Sequence, residues 1–161
     1  MIEIFTDGAS SGNPGKGGYG ILMRVQGTQY MKTFSEGFRL TTNNRMELLA
    51  VITALEKINR PNQEVVIYSD SQYVVNSVNG RWIFNWEKKR FDKVKNPDLW
   101  IRFLKVYRQH RVRLEWVKGH AGHPENEQCD KMAVAASKAE NLSVDAGYEN
   151  FLKTKEDDTL L

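Results

Sequence analysis

The hydrophobic pattern of this 161-residue chain predicts an α/β domain with a mixed five-stranded sheet, and three observations lead to that fold class. Three strand-like segments with short connections precede residue 40, the third alternating at period two, which suggests that the first three strands form an antiparallel meander. The period then switches to helical spacing, and a short β-branched run, Val65-Val66-Ile67-Tyr68, follows it. A run apolar on successive residues suits a strand covered on both faces, which puts helices against the sheet. Helix-like and strand-like segments alternate from there to the last strand, the pattern of a layered α/β arrangement.

The first strand is read over Ile2 to Thr6. Gly12-Asn13-Pro14-Gly15-Lys16-Gly17-Gly18 is so rich in turn formers that it is expected to be loop, and Gly18 to Val25 and Thr28 to Phe38 complete the meander. From Asn43 to Ile58 the residues Met46, Leu49, Ala50, Ala54 and Leu55 recur at helical spacing, with Thr42 or Asn43 to cap the start and Pro61 beyond the end. That helix is apolar almost all round, so it is expected to be buried. Val65 to Tyr68 is the fourth strand, and Asp70-Ser71 is a strand-to-helix junction leading into a helix to about Val78. Pro97 fits the first turn of a helix reaching about Gln109, and Val112 to Val117 alternates as the fifth strand. Gly119 to Pro124 reads as loop and Glu125 to about Lys138 as an Ala-rich helix. The chain divides into one domain over residues 1–142 and an acidic tail over 143–161, expected to be partly disordered because it has little apolar periodicity.

Composition excludes several classes. One cysteine rules out a disulfide scaffold, and 40% hydrophobic with 27% charged residues is neither disordered nor membrane-embedded. The longest stretch without a charge, Ser71 to Gly80, is rich in Ser, Asn and Gln and is far short of the ~20 apolar residues of a membrane span. The chain opens at once on a strand-like segment without the basic start and apolar core of a signal peptide, so a cytoplasmic protein with no membrane association is expected.

The net charge of +3 hides an uneven distribution. Residues 81–113 carry 11 Lys/Arg against 3 Asp/Glu, a net of +8, while residues 140–161 carry 2 against 6, a net of −4. The basic stretch also holds Trp82, Phe84, Trp86, Phe91 and Trp100. Aromatic rings interleaved with Lys and Arg suit a polyanion with bases or sugars to contact, and an amphipathic solvated helix with its tryptophans in the core is the competing reading.

Four carboxylates stand where folding alone does not ask for them. Asp7 closes the first strand, Glu47 interrupts a buried helix, Asp70 lies just past the buried strand, and Asp130 shares a helix face with Ala133 and Val134. Each of the first three has a structural alternative: an Asx turn for Asp7, a first-turn position with its head in water for Glu47, and an N-cap for Asp70. Residues past the carboxyl end of a strand are nonetheless where open α/β sheets bind ligands. No Lys or Arg is an evident internal partner for all four, so a divalent cation is the economical solution. Carboxylate oxygens favour Mg²⁺, with Mn²⁺ as a substitute, and no Cys/His cluster calls for zinc. Two such ions in a carboxylate cluster are the apparatus of in-line phosphodiester hydrolysis, and the basic stretch supplies the matching polyanion site. His120, in the glycine-flanked loop Lys118-Gly119-His120-Ala121-Gly122-His123-Pro124, is placed to exchange protons near neutrality.

These residues in this order resemble the bacterial ribonuclease HI family, through Thr6-Asp7-Gly8, Gly12-Asn13-Pro14-Gly15, Thr41-Thr42-Asn43-Asn44-Arg45-Met46-Glu47, Ser69-Asp70-Ser71-Gln72-Tyr73-Val74, and Trp116 to Glu127 with Cys129-Asp130. The resemblance runs from Phe5 to about Tyr148. It implies a ribonuclease H-like fold with helices on both faces of the sheet. It also implies endonucleolytic cleavage of the RNA strand of an RNA–DNA hybrid to 5′-phosphate and 3′-hydroxyl ends, by a monomer with no obligate protein partner. Asp7, Glu47, Asp70 and Asp130 match the family's metal-binding carboxylates and His120 its flexible-loop histidine. Asn13, Asn44 and Gln72 match positions near the hybrid, Thr42 with Asn13 resembles a DNA-phosphate pocket, and Trp82 and Trp86 match aromatics set against the DNA strand. Lys88, Lys89 and Arg90 fall in a stretch resembling the family's basic protrusion, here shorter and interrupted by Glu87 and Asp92. A binding module without activity, and a junction resolvase or transposase core, are the other classes in view.

Overall fold

The computed structural model describes residues 1–119 and 122–160. Five strands, β1 (Ile2–Gly12), β2 (Gly15–Val25), β3 (Met31–Thr41), β4 (Glu64–Ser69) and β5 (Arg111–Trp116), form one sheet in the order β3-β2-β1-β4-β5. β1–β2 and β2–β3 are antiparallel, with Ile4 opposite Met23 and Leu22 opposite Thr33, while β1–β4 and β4–β5 are parallel, with Ile67 beside both Ile4 and Leu114. The expected mixed sheet with three antiparallel strands first is therefore the one observed.

Because successive side chains in a strand point to opposite faces, β1 feeds two cores. Ile4 and Ile21 face helix α1 (Asn43–Glu56), α2 (Gln72–Asn79), α3 (Trp82–Lys88) and α4 (Pro97–Tyr107), whose Leu48, Ile52, Val74, Ile83, Trp100 and Phe103 complete the larger cluster. Phe5 and Leu22 face α5 (Pro124–Ser137) through Cys129 and Met132. Full burial of such a side chain contributes about 1.5–3 kcal/mol, so these clusters fix which helix covers which face. On the second face the sheet is nearly bare: a Cβ on Gly20 would stand 2.3 Å from the Cys129 carbonyl oxygen, and one on Gly37 2.0 Å from that of Ala136. These glycines let the backbone of α5 lie directly on β2 and β3, and that seat determines where Asp130 comes to rest.

The structure revises several boundaries. The glycine-rich stretch expected to be loop is strand on both sides, since pairing continues to Gly12 opposite Gly15 and Asn13-Pro14 alone makes the turn. β3 begins at Met31 rather than Thr28, because Thr28 closes a turn by donating from its amide and its hydroxyl to the Val25 carbonyl, at 3.1 and 2.9 Å. Residues 82–88, to which the sequence pattern assigns no element, form α3, its start marked by Arg81 at φ 63° and its inner face by buried Ile83. Residues 143–161, read from composition as an acidic tail, carry helix α6 (Ala146–Thr159). The segment before it pairs with β3 through Arg39 N–H to the Ser143 carbonyl and Ser143 N–H to that of Gly37. Asp145 caps α6 by accepting from the Tyr148 amide, Tyr148 is buried, and Glu149 accepts from the Arg39 guanidinium of β3 at 2.8 and 2.9 Å. Among the described residues, no helix is long and apolar enough to cross a membrane.

Candidate active site

Pairing between β1 and β4 ends at Phe5 opposite Tyr68. Two residues further along the chain from each stand Asp7, still on β1, and Asp70, just past the end of β4, so the sheet register makes these acids neighbours where the strands part. Glu47 reaches them from the first turns of α1. Gly8 is what allows this: a Cβ there would lie 2.4 Å from the Glu47 backbone nitrogen, so only glycine lets α1 press so closely on β1. The Gly8 amide then donates to both carboxylates, to Asp7 Oδ1 at 2.9 Å and to Glu47 Oε1. One carboxylate oxygen from each of Asp7, Glu47 and Asp70 lies within 4.8 Å of the others. Asp130, on α5, lines the same cleft and adds to the negative field on Asp7.

The structural alternatives for these acids are decided by where neighbouring side chains go. Ser71, not Asp70, caps α2, its hydroxyl accepting from the Val74 amide at 3.2 Å, so the Asp70 carboxylate is left to face the cluster. Glu47 is only 5% exposed, so its head is not in water. Arg45, two residues away on α1, turns instead to Asp98 and Asp145. Among the described residues no Lys or Arg pairs with any of the four acids.

The electrostatic consequence is strong. Burial pushes the Asp7 carboxyl up from an ordinary 3.8 to about 7, with the charges of Asp70 and Asp130 acting in the same direction. Glu47 is raised well above the usual carboxylate range, first by burial and then by the charge of Asp7. Desolvated acids crowded together are unfavourable unless protonated or bound to a cation. The donors are all oxygen and they converge, so the set fits a hard divalent ion.

Around the cluster opens a cleft of about 490 Å³ lined by Asn43, Asn44, Gln72, Tyr73 and Trp116 besides the acids. Asn44 and Gln72 are exposed residues that line it. Asn13, at the tip of the β1–β2 turn, accepts from the Asn43 amide at 3.1 Å, and Thr42 caps α1 by accepting from the Arg45 amide at 3.2 Å. Trp82 is half exposed, whereas Trp86 packs edge-on against buried Trp100 with centroids 5.7 Å apart. Lys88, Lys89 and Arg90 are exposed. Trp116 is a cleft residue that sequence reasoning misses; it is 46% exposed and its indole N–H donates to the Asp70 carbonyl at 3.2 Å, and a large aromatic ending a strand beside the loop is the available signal. His120 lies outside the described residues.

The RNase H family model matches residues 1–138. The chain belongs to the ribonuclease H family. It is 53% identical to a ribonuclease H of Klebsiella pneumoniae over 153 residues, covering 92% of this chain and 96% of that one. It is 54% identical to one of Pectobacterium carotovorum, covering 92% and 97%. Among solved structures it is similar to LC9-RNase H1, described as a type 1 RNase H with the type 2 active-site motif, with TM-score 0.78 and 32% identity over 93% of this chain and 79% of that one. It is also similar to LC11-RNase H1 solved with an RNA/DNA hybrid, with TM-score 0.65 and 25% identity over 84% and 96%. This ribonuclease H is therefore an enzyme of the bacterial type that the motifs suggest, and its carboxylate cleft is the feature on which a reaction can be built.

Proposed function

We propose that this ribonuclease H is a Mg²⁺-dependent endonuclease that hydrolyses the RNA strand of RNA–DNA hybrids, leaving 5′-phosphate and 3′-hydroxyl ends. The observation that carries the reading is the convergence of Asp7, Glu47 and Asp70 beside Asp130 in one cleft, none of them in a salt bridge with a Lys or Arg among the described residues. A relative of the same fold solved with an RNA/DNA hybrid supports the substrate class.

Asp7, Glu47, Asp70 and Asp130 would hold the metal, and burial of Asp7 and Glu47 leaves their charge poorly screened by water. The chemistry that two divalent ions would supply there is activation of water for in-line attack and stabilisation of the leaving 3′ oxygen. Mn²⁺ substitutes because the donors are the same hard oxygens. Asn44 and Gln72, whose amides both donate and accept, read the 2′-hydroxyls that distinguish RNA from DNA. Thr42 and Asn13 hold a DNA-strand phosphate, Trp82 and Trp86 stand against that strand, and Lys88, Lys89 and Arg90 contact phosphates further along. His120 carries protons to or from the leaving group. All four acids come from one chain, which supports action as a monomer, and the single free thiol, Cys129, suits the reducing cytoplasm.

Labelled hybrid, single-stranded RNA, duplex DNA and branched DNA, each incubated with Mg²⁺ and with chelator, test this reading. Cleavage confined to the RNA of the hybrid and lost on chelation is the expected result. Intact hybrid, or preferential cutting of branched DNA, overturns it.

A further inference from the structure

Cleavage of a bound hybrid requires the acidic cleft and the basic arm, residues 88–96, to sit at a fixed spacing, yet they are carried by different elements. One side chain touches both. Tyr73, in the first turn of α2 directly after Gln72, lines the cleft with its body. Its hydroxyl accepts the indole N–H of Trp100 at 2.9 Å and the side-chain amide of Asn96 at 3.0 Å. Trp100 is wholly buried and packs edge-on against both Tyr73 and Trp86, each at 5.7 Å. Trp86 belongs to α3, the helix on which the arm is mounted, and Asn96 is the residue at which the arm returns to α4, in a left-handed conformation at φ 57°.

The far side of the brace is equally tied down. Asn96 accepts from Arg45 Nη1 at 3.3 Å, and Arg45, 2% exposed, also holds Asp98 at 2.7 and 2.9 Å and Asp145 at 2.7 and 2.9 Å. Arg45 lies between Asn44 and Glu47 on α1. The starts of α1, α2 and α4 and the inner face of α3 thus meet in a half-buried polar knot, with Tyr73 facing the cleft. A buried hydrogen-bond network of this kind specifies one arrangement of the elements it joins.

We propose that Tyr73 is a positioning residue that sets the arm at the spacing a bound hybrid needs, acting through Asn96 and Trp100. The inference rests on the hybrid-nuclease reading above. It assigns the hydroxyl no contact with substrate: its consequence is delivered by Lys88, Lys89 and Arg90.

The test is a double-mutant cycle on hybrid cleavage at low salt. Four proteins are compared: unaltered, Tyr73→Phe, the arm with Lys88→Gln, Lys89→Gln and Arg90→Gln together, and the combination. Removing two hydrogen bonds from the brace should raise KM by about 3- to 10-fold with kcat within about twofold. In the arm-neutralised protein the same substitution should change KM by less than about twofold, because the charges it positions are gone. Asn96→Gly, which keeps the left-handed backbone and removes the same amide, should reproduce the pattern. Equal KM shifts in both backgrounds, a loss in kcat instead of KM, or no shift in either overturn the proposal while hybrid cleavage by the unaltered protein keeps the functional reading. Absence of that cleavage overturns both.

Discussion

Where β1 and β4 part, three carboxylates lie within 4.8 Å of one another, with Asp7 and Glu47 almost out of water, whereas in the arm Lys88, Lys89 and Arg90 stand exposed on a backbone that is itself under strain. The site is made unfavourable by its charges and held by a well-packed fold: Gly8 against α1, the α5 seat on glycine, the register of β1 on β4. The arm's charges are solvated and cost little, but four of its residues, Arg90, Phe91, Lys93 and Asn96, adopt left-handed conformations with φ between 53 and 59°. Phe91 and Val94, packed on the main core, and the Phe91 amide bonded to the Trp86 carbonyl at 2.8 Å hold that turn in place. One region stores electrostatic free energy that a cation can release; the other stores backbone strain in order to present charges. Their responses to substitution, pH and salt should differ accordingly.

The largest expected effect is in the site. Asp70→Asn should lower the rate of hybrid cleavage by about 10³-fold or more while the protein stays folded, since removing one carboxylate from a metal cluster costs several kcal/mol of transition-state stabilisation. Steady-state rates with a circular-dichroism melt check it, and an undiminished rate would place the chemistry elsewhere.

Next comes the stability of the metal-free protein. Asp7 holds its proton to about pH 7 when folded but only to about its ordinary 3.8 when unfolded. Between those values the folded state binds the extra proton, so stability should fall as pH rises from about 4 to about 7. Asp7→Asn should flatten that fall and raise metal-free stability at neutral pH by up to about 4 kcal/mol. Mg²⁺ should stabilise the unaltered protein more than the variant. Urea titrations across this pH range, with chelator and with Mg²⁺, measure both; a variant less stable than its parent would show the cluster to be favourable as it stands.

The arm should respond to salt instead. Lys88→Gln, Lys89→Gln and Arg90→Gln together should weaken hybrid binding and reduce the slope of log affinity against log salt by roughly 0.9 for each phosphate no longer neutralised. An unchanged slope would remove these residues from the interface. The smallest effect tests the strain. Lys93→Gly, at an exposed position with φ 59°, should stabilise the protein by about 0.5–1 kcal/mol, because only glycine adopts that backbone without a Cβ clash. Thermal unfolding checks it, and destabilisation would mean that the Lys93 side chain is held by an interaction stronger than the strain.

What was legible in the sequence follows from the range of the forces involved. The helices beginning near Asn43, Pro97 and Pro124 and the five strands were readable because apolar periodicity and capping chemistry act over a few residues. α3 was not, since seven residues with one buried Ile83 make too short a period to separate from the surrounding charges. α6 was not, because its acidic composition conceals an anchor, Asp145 to Arg45 and Thr41, whose partners lie about a hundred positions earlier. Trp86 shows the same limit in reverse: its spacing from Trp82 is compatible with an exposed platform or with core, and contact with Trp100 decides its packing.

By itself the sequence determined the element types, the strand meander, the positions of the four acids and the family whose motifs surround them. Only the tertiary structure decided that Asp7, Glu47 and Asp70 meet, that Arg45 turns from Glu47 to Asp98 and Asp145, and that Ser71 rather than Asp70 caps α2. A carboxylate's ionisation and partners depend on which distant segment excludes water from it, and that is set by strand register and helix seating rather than by its neighbours in the chain.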